Sequence, residues 1–132
     1  MALAQDLAEE DEPKIRTILV VDDDAGIREF LDLALTMETP HHMLLAKDGF
    51  QALEMVKTSV PDLLILDYQL PKMNGLELYD RLHAREELKK SAAVLVSANL
   101  PMAEIEKRQV YHLKKPFSLD ELLGMVEQLL AI

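Results

Sequence analysis

From Arg16 to the end of the chain, short apolar runs alternate strictly with segments of helical period, and no other feature narrows the fold as far. A run that is apolar on both faces suits a strand covered from both sides, whereas apolar residues at i, i+3, i+4, i+7 and i+8 make one stripe of a helix. Residues 18–21 form the first run, and Ile27, Phe30, Leu31, Ala34 and Leu35 form the first stripe, with Asp24 placed to cap it. Residues 43–46 predict a second strand. A helix over 50–57 follows, with Asp48 as cap, Gln51 three residues on, and Val60-Pro61 as its stop. Residues 62–66 are the most continuous apolar run, as a central parallel strand requires. Asn74 with Glu77 then opens a helix reaching about Arg85.

Residues 92–96 predict the fourth strand, and Pro101 suits a first helical position, but 102–108 offers a poor stripe. A short fifth strand over 110–113 precedes Ser118 and Glu121, a capping box ahead of Leu119, Leu122, Leu123, Val126, Leu129 and Leu130. Five strand and helix pairs in alternation imply an α/β fold, a doubly wound parallel sheet with right-handed crossovers and helices on both faces.

With 132 residues the chain fits one domain, and 49% hydrophobic with 29% charged residues is enough apolar surface for a packed core. Residues 1–13 hold Asp6, Glu9, Glu10, Asp11 and Glu12 without a basic residue, so they read as a solvated acidic tail, and 14–132 reads as the domain. A net charge of -10 disfavours direct binding to a phosphate backbone. The absence of cysteine excludes a disulfide scaffold, a thiolate metal site and a cysteine nucleophile. No apolar run is long enough to span a bilayer, and no basic segment followed by an apolar one opens the chain, so a cytoplasmic protein is expected.

In an open parallel sheet, ligands bind beyond the carboxyl ends of the strands, where strand order reverses. The first strand ends in Asp22-Asp23-Asp24, the third in Asp67, the fourth in Ser97 and the fifth in Lys114-Lys115-Pro116. All four sets fall on one edge. Two carboxylates about 5 Å apart repel by roughly 3 kcal/mol at an effective dielectric of 20, so converging acids call for a cation. A hard ion such as Mg2+ takes oxygen ligands, commonly one or two carboxylates with waters and phosphate oxygens completing the shell. Lys115 adds a point charge and Ser97 a hydroxyl donor, which together make the parts of a phosphoryl-transfer site. Asp67, a single acid after the most buried strand, is the expected nucleophile, and Asp22 and Asp23 the expected metal holders.

Other polar residues have plainer readings. Lys114 is a solvated flank, and His83 belongs to a helix surface. His41 and His42 sit at the start of a strand, where adjacent side chains point to opposite faces and cannot share a metal.

Ile18-Leu19-Val20-Val21-Asp22-Asp23-Asp24, Leu64-Ile65-Leu66-Asp67 with Pro71-Lys72-Met73-Asn74-Gly75, Ser97-Ala98 and Lys115-Pro116-Phe117 together resemble the receiver domain of bacterial two-component response regulators, over about residues 16–132. The resemblance implies a flavodoxin-like (βα)5 sheet in the order 2-1-3-4-5. It implies that Asp67 accepts a phosphoryl group from the phosphohistidine of a histidine kinase or phosphotransfer protein. It further implies Mg2+, or another divalent cation such as Mn2+, on Asp22, Asp23, Asp67 and the backbone carbonyl of Gln69. Ser97 and Lys115 would contact the phosphoryl group, and a cis bond would precede Pro116. Members of the family usually carry Tyr or Phe three residues before the lysine. Here that switch position is His112, either a satisfied histidine or a pH-sensitive element. The stretch from Ser97 to Lys115 is also shorter than usual by roughly one helical turn.

The resulting expectation is a stand-alone phosphoacceptor that assists its own phosphorylation and dephosphorylation, is not a turnover enzyme, and signals to a downstream protein target. The alternatives are a receiver excised from a longer regulator or hybrid kinase, a receiver that binds partners without phosphorylation, and a metal-dependent phosphatase with an Asp nucleophile. The last commonly needs a second acid two residues after the first, where this chain has Gln69.

Overall fold

The computed structural model describes residues 14–131; the acidic segment 1–13 lies outside the described residues. Five strands, β1 (Thr17–Val21), β2 (His42–Ala46), β3 (Leu63–Asp67), β4 (Ala92–Ser97) and β5 (Tyr111–Lys114), alternate with helices α1 (Ala25–Glu38), α2 (Gly49–Met55), α3 (Gly75–His83), α4 (Met102–Arg108) and α5 (Leu119–Leu130). All pairs are parallel and the sheet order is β2-β1-β3-β4-β5.

The period of two along each strand divides the core between two helical layers. Leu19, Val21, Leu64, Leu66, Ala93 and Leu95 pack with Ala52, Leu78, Leu82 and Ile105 of α2, α3 and α4. The intervening Ile18, Val20, Leu63, Ile65, Val94 and Val96 pack with Leu31, Leu35, Leu122 and Val126 of α1 and α5. The central strand β3 is buried along its whole length, which is why its sequence runs apolar without alternating. Among the described residues no helix is long and apolar enough to cross a membrane.

The starts of α1, α2, α3 and α5 hold a capping bond; α4 does not, because Pro101 stands at its cap position, one place before the first helical residue, and offers no side-chain acceptor. Asp24, Asp48 and Asn74 accept from Ile27, Gln51 and both Leu76 and Glu77 respectively, and Ser118 with Glu121 forms the full capping box.

Helix ends differ from expectation. The second helix stops at Met55, well before Pro61, because the amides of Thr58 and Ser59 turn back onto the Met55 carbonyl. Pro61 is instead buried, its carbonyl accepting the Ser91 hydroxyl at 2.6 Å. The third helix ends at His83, and a separate 3-10 turn over Glu86–Leu88 buries Leu88. Phe30, expected in the core, is 55% exposed, while Leu31, Ala34 and Leu35 bury the inner face. His83 is half-buried rather than on the surface: its ring stacks on Tyr79 with centroids 4.4 Å apart, and Nε2 lies 3.2 Å from the Ser91 carbonyl. His41 accepts the Arg16 amide on Nδ1 at 2.9 Å, and His42 is exposed.

The short α4 buries one residue, Ile105, and ends on Gln109 in a left-handed conformation, φ 55°. Polar contacts hold it as well. Arg108 forms two bonds to the Asp80 carboxylate of α3, at 2.8 and 2.9 Å, and a third to Glu104 at 2.8 Å. A planar guanidinium fork matches a carboxylate in this way.

Candidate functional site: an acidic pocket at the carboxyl edge of the sheet

The strand order reverses between β1 and β3, and the ends of these strands carry the acids. β1 stops at Val21, and the Asp22 amide still donates to the Ala46 carbonyl at 3.1 Å, extending the ladder by one bond. The buried Asp22 carboxylate receives the Asp24 amide at 2.9 Å on one oxygen and Lys115 Nζ at 3.3 Å on the other. Asp23, the next residue, is exposed. Asp67 ends β3 opposite Val96, buried, with Oδ1 accepting the Gln69 amide at 3.2 Å and Oδ2 3.8 Å from Lys115 Nζ.

Asp22, Asp23 and Asp67 each present a carboxylate oxygen, all within 4.8 Å of one another. Oxygens on opposite sides of an octahedral Mg2+ lie roughly 4.2 Å apart, so the cluster has the size and donor type of one hard-cation shell. Three carboxylates face one ammonium, Lys115, and an unbalanced negative charge remains. Its effect shows at Asp67, whose carboxyl is held above the usual carboxylate range by burial first and by the Asp22 charge second, with Lys115 opposing.

Ser97 closes β4 and is buried; its hydroxyl accepts the Asn99 amide at 3.3 Å. The backbone amide of Lys115 donates to the Ser97 carbonyl at 2.9 Å, which fixes the lysine stem beside β4, and the Lys115-Pro116 bond is cis. The structure therefore brings Asp22, Asp23, Asp67, Ser97 and Lys115 to one edge. Gln69 follows Asp67 in an exposed loop. His112 pairs in register with Leu95 on the edge strand β5 and is exposed, so no buried slot receives its ring.

Two contributors were not visible as site residues in the sequence. Arg28 of α1 donates to the Asp22 carbonyl at 2.7 Å. Gly75 opens α3 directly under the Asp67 backbone: a Cβ there would stand 2.5 Å from the Asp67 carbonyl oxygen. Arg28 lies one turn past the cap and off the apolar stripe, which marks it as facing away from the core and says nothing of its partner.

The loop between β3 and α3 carries a local strain. Lys72 has φ 67°, a left-handed conformation that side chains with a Cβ disfavour by about 1 kcal/mol. Lys72→Gly is expected to raise the urea midpoint by the equivalent of about 0.5 kcal/mol, the relief being partly offset by the greater freedom of glycine when unfolded. A lower midpoint would show that the Lys72 side chain makes a stabilising contact.

An open parallel sheet with acids at the ends of β1 and β3, a hydroxyl at β4 and a lysine after β5 defines a flavodoxin-like α/β domain with an acidic pocket at its topological switch point. The chain belongs to the response regulator receiver domain family, whose match spans residues 18–127. The response regulator MprA of Mycobacterium ulcerans (strain Agy99) is 36% identical over 118 residues, covering 86% of this chain and 49% of that protein. The chain thus spans about half the length of the curated relatives it matches. Among solved structures, the receiver domain of Francisella response regulator 1452 is 28% identical with a TM-score of 0.77, covering 88% of this chain and 97% of that one. The fold is also that of the Vibrio cholerae chemotaxis response regulator CheY4, at a TM-score of 0.81 and 24% identity, covering 89% of this chain and 100% of that one.

Proposed function

We propose that this receiver accepts a phosphoryl group on Asp67 from the phosphohistidine of a histidine kinase or phosphotransfer protein, in the cytoplasm and with Mg2+ or Mn2+ bound. The observation that carries the reading is the convergence of Asp22, Asp23 and Asp67 within 4.8 Å, with Lys115 and Ser97 beside them. Asp22, Asp23, Asp67 and the Gln69 carbonyl would hold the cation, which offsets the negative charge of the pocket and of the incoming phosphoryl oxygens. A carboxylate oxygen of Asp67 attacks phosphorus, the P–N bond breaks, and its electron pair stays on the donor imidazole. The product is an acyl phosphate, which water later hydrolyses to restore the carboxylate.

Lys115 already spans Asp22 and Asp67, so its ammonium can follow charge from the carboxylate to a phosphoryl oxygen. The Ser97 hydroxyl donates to another of those oxygens and in turning gives up the Asn99 amide. That change loosens residues 98–101 and alters the surface around β4, α4 and β5, His112 included, which a downstream protein target reads by binding the two states unequally. The protein is a phosphoacceptor rather than a turnover enzyme. The half-length match to MprA favours one further arrangement, in which the same surface acts within a longer regulator.

Incubation with acetyl phosphate and Mg2+, followed by intact mass measurement, tests the reading. A gain of one phosphoryl group that disappears with EDTA is the expected outcome. No gain, or a gain indifferent to metal, would refute it.

A further inference from the structure

We infer that Arg28 is a positioning residue for the acidic pocket: its guanidinium pins the peptide group joining Asp22 to Asp23 and thereby sets where the two carboxylates stand. This rests on the metal-dependent reading above. Arg28 Nη1 donates to the Asp22 carbonyl at 2.7 Å, six residues back along the chain, from a partly buried position. Its own amide donates to the Asp24 carbonyl at 3.0 Å. One residue therefore holds the acidic turn at two points, from the first turns of α1.

The carbonyl of Asp22 and the amide of Asp23 belong to one rigid plane. If that plane rotates, the Asp23 side chain swings relative to Asp22 and Asp67. Asp22 has further restraints, its amide on Ala46 and its carboxylate on Asp24 and Lys115. Asp23 is exposed and is carried by the backbone that Arg28 fixes. A charge-assisted bond to a carbonyl is stronger than a neutral one and comes with fixed planar geometry. Arg28 also brings a positive charge near the pocket, which by itself would oppose a cation. The two effects have opposite signs on Mg2+ affinity and can be separated.

The test uses the whole chain without phosphodonor. Mg2+ is titrated while the amide NMR signals of residues 22–24 and 67–69 are followed, for wild type, Arg28→Met, Arg28→Lys and Asp23→Ala, with a urea melt of each. Both Arg28 variants are expected to bind Mg2+ about 10-fold more weakly, as loss of an outer-shell partner typically does. Lysine should fail to rescue, because its ammonium is a strongly hydrated point charge on a flexible stem and does not hold one N–H in the fixed direction that the rigid guanidinium plane gives. Unchanged or tighter binding by Arg28→Met would overturn the inference, as would wild-type affinity in Arg28→Lys. A lower urea midpoint with wild-type affinity would also overturn it, reducing Arg28 to a stabiliser of α1. Asp23→Ala tells this failure from a failure of the metal reading: if its affinity matches wild type, the cation site lies elsewhere and both conclusions fall.

Discussion

Replacing Asp67 with Asn is expected to abolish the gain of a phosphoryl group and, in the same molecule, to raise metal-free stability by about 1 to 2 kcal/mol. The amide is no nucleophile toward phosphorus, so the first effect is complete. The second follows from the electrostatics of the pocket. Burial and the Asp22 charge hold the Asp67 carboxyl above its ordinary range, and the attraction of Lys115, at 3.8 Å, offsets this in part. Between the ordinary carboxylate value and that raised one, the folded protein binds more protons than the unfolded chain. Stability contributed by this group is therefore present at low pH and declines as pH rises through the folded-state value. The uncharged amide of the Asp67→Asn variant would carry no such slope. Urea melts of both proteins in EDTA, carried upward in pH from the ordinary carboxylate range to neutrality, should show the variant's advantage growing with pH. A variant less stable than wild type at neutral pH would mean that the attraction of Lys115 outweighs the repulsion. Saturating Mg2+ should reverse the order, because the wild-type carboxylate gains a ligand bond that the amide makes poorly.

Asp22, Asp67, Ser97 and Lys115 were legible in the sequence because each stands at a strand end, and parallel strands deliver their carboxyl ends to one edge whatever the loops do. The strand runs were legible because β1, β3 and β4 are buried on both faces, so each reads as a short, nearly continuous apolar run. Phe30 illustrates the opposite case. It fits the helical stripe of α1 beside Leu31, yet the sheet has room for a narrower stripe, and Phe30 stands outside with Leu33 and Met37. The short α4 was obscure because its support is not its own stripe. Ile105 and the Arg108 bonds to Asp80, 28 residues away in sequence, hold it in place. Contacts of that kind leave no periodic signal, and the Arg28 bond to the Asp22 carbonyl is another of them. His112 occupies the switch position by spacing, but spacing does not report exposure, and its ring stands in the open on β5.

Gly75→Ala is the substitution expected to cost most, about 3 kcal/mol of stability, and to impair phosphorylation with it. A Cβ at this position would lie 2.5 Å from the Asp67 carbonyl oxygen, 2.8 Å from Leu95 Cδ1 and 2.9 Å from Tyr68 Cα. Two of the three atoms are backbone and belong to β3 and the loop that follows it, so no flexible side chain can absorb the clash. The Gly75 amide also donates to the Tyr68 carbonyl at 2.9 Å, so backing α3 away would stretch that bond. Either α3 retreats, loosening the packing of the buried Leu76 and Leu78, or the Asp67 peptide rotates and moves its carboxylate out of the cluster. Gly49 makes a useful contrast. There an added Cβ meets the Met73 sulfur at 2.9 Å, the far end of a side chain that can shift, and Gly49→Ala should cost about 1 kcal/mol or less. Urea midpoints of the two variants, with phosphoryl gain from acetyl phosphate read by mass, decide the matter. A Gly75→Ala protein as stable as Gly49→Ala would show that α3 does not press on the end of β3 as closely as the 2.5 Å approach requires.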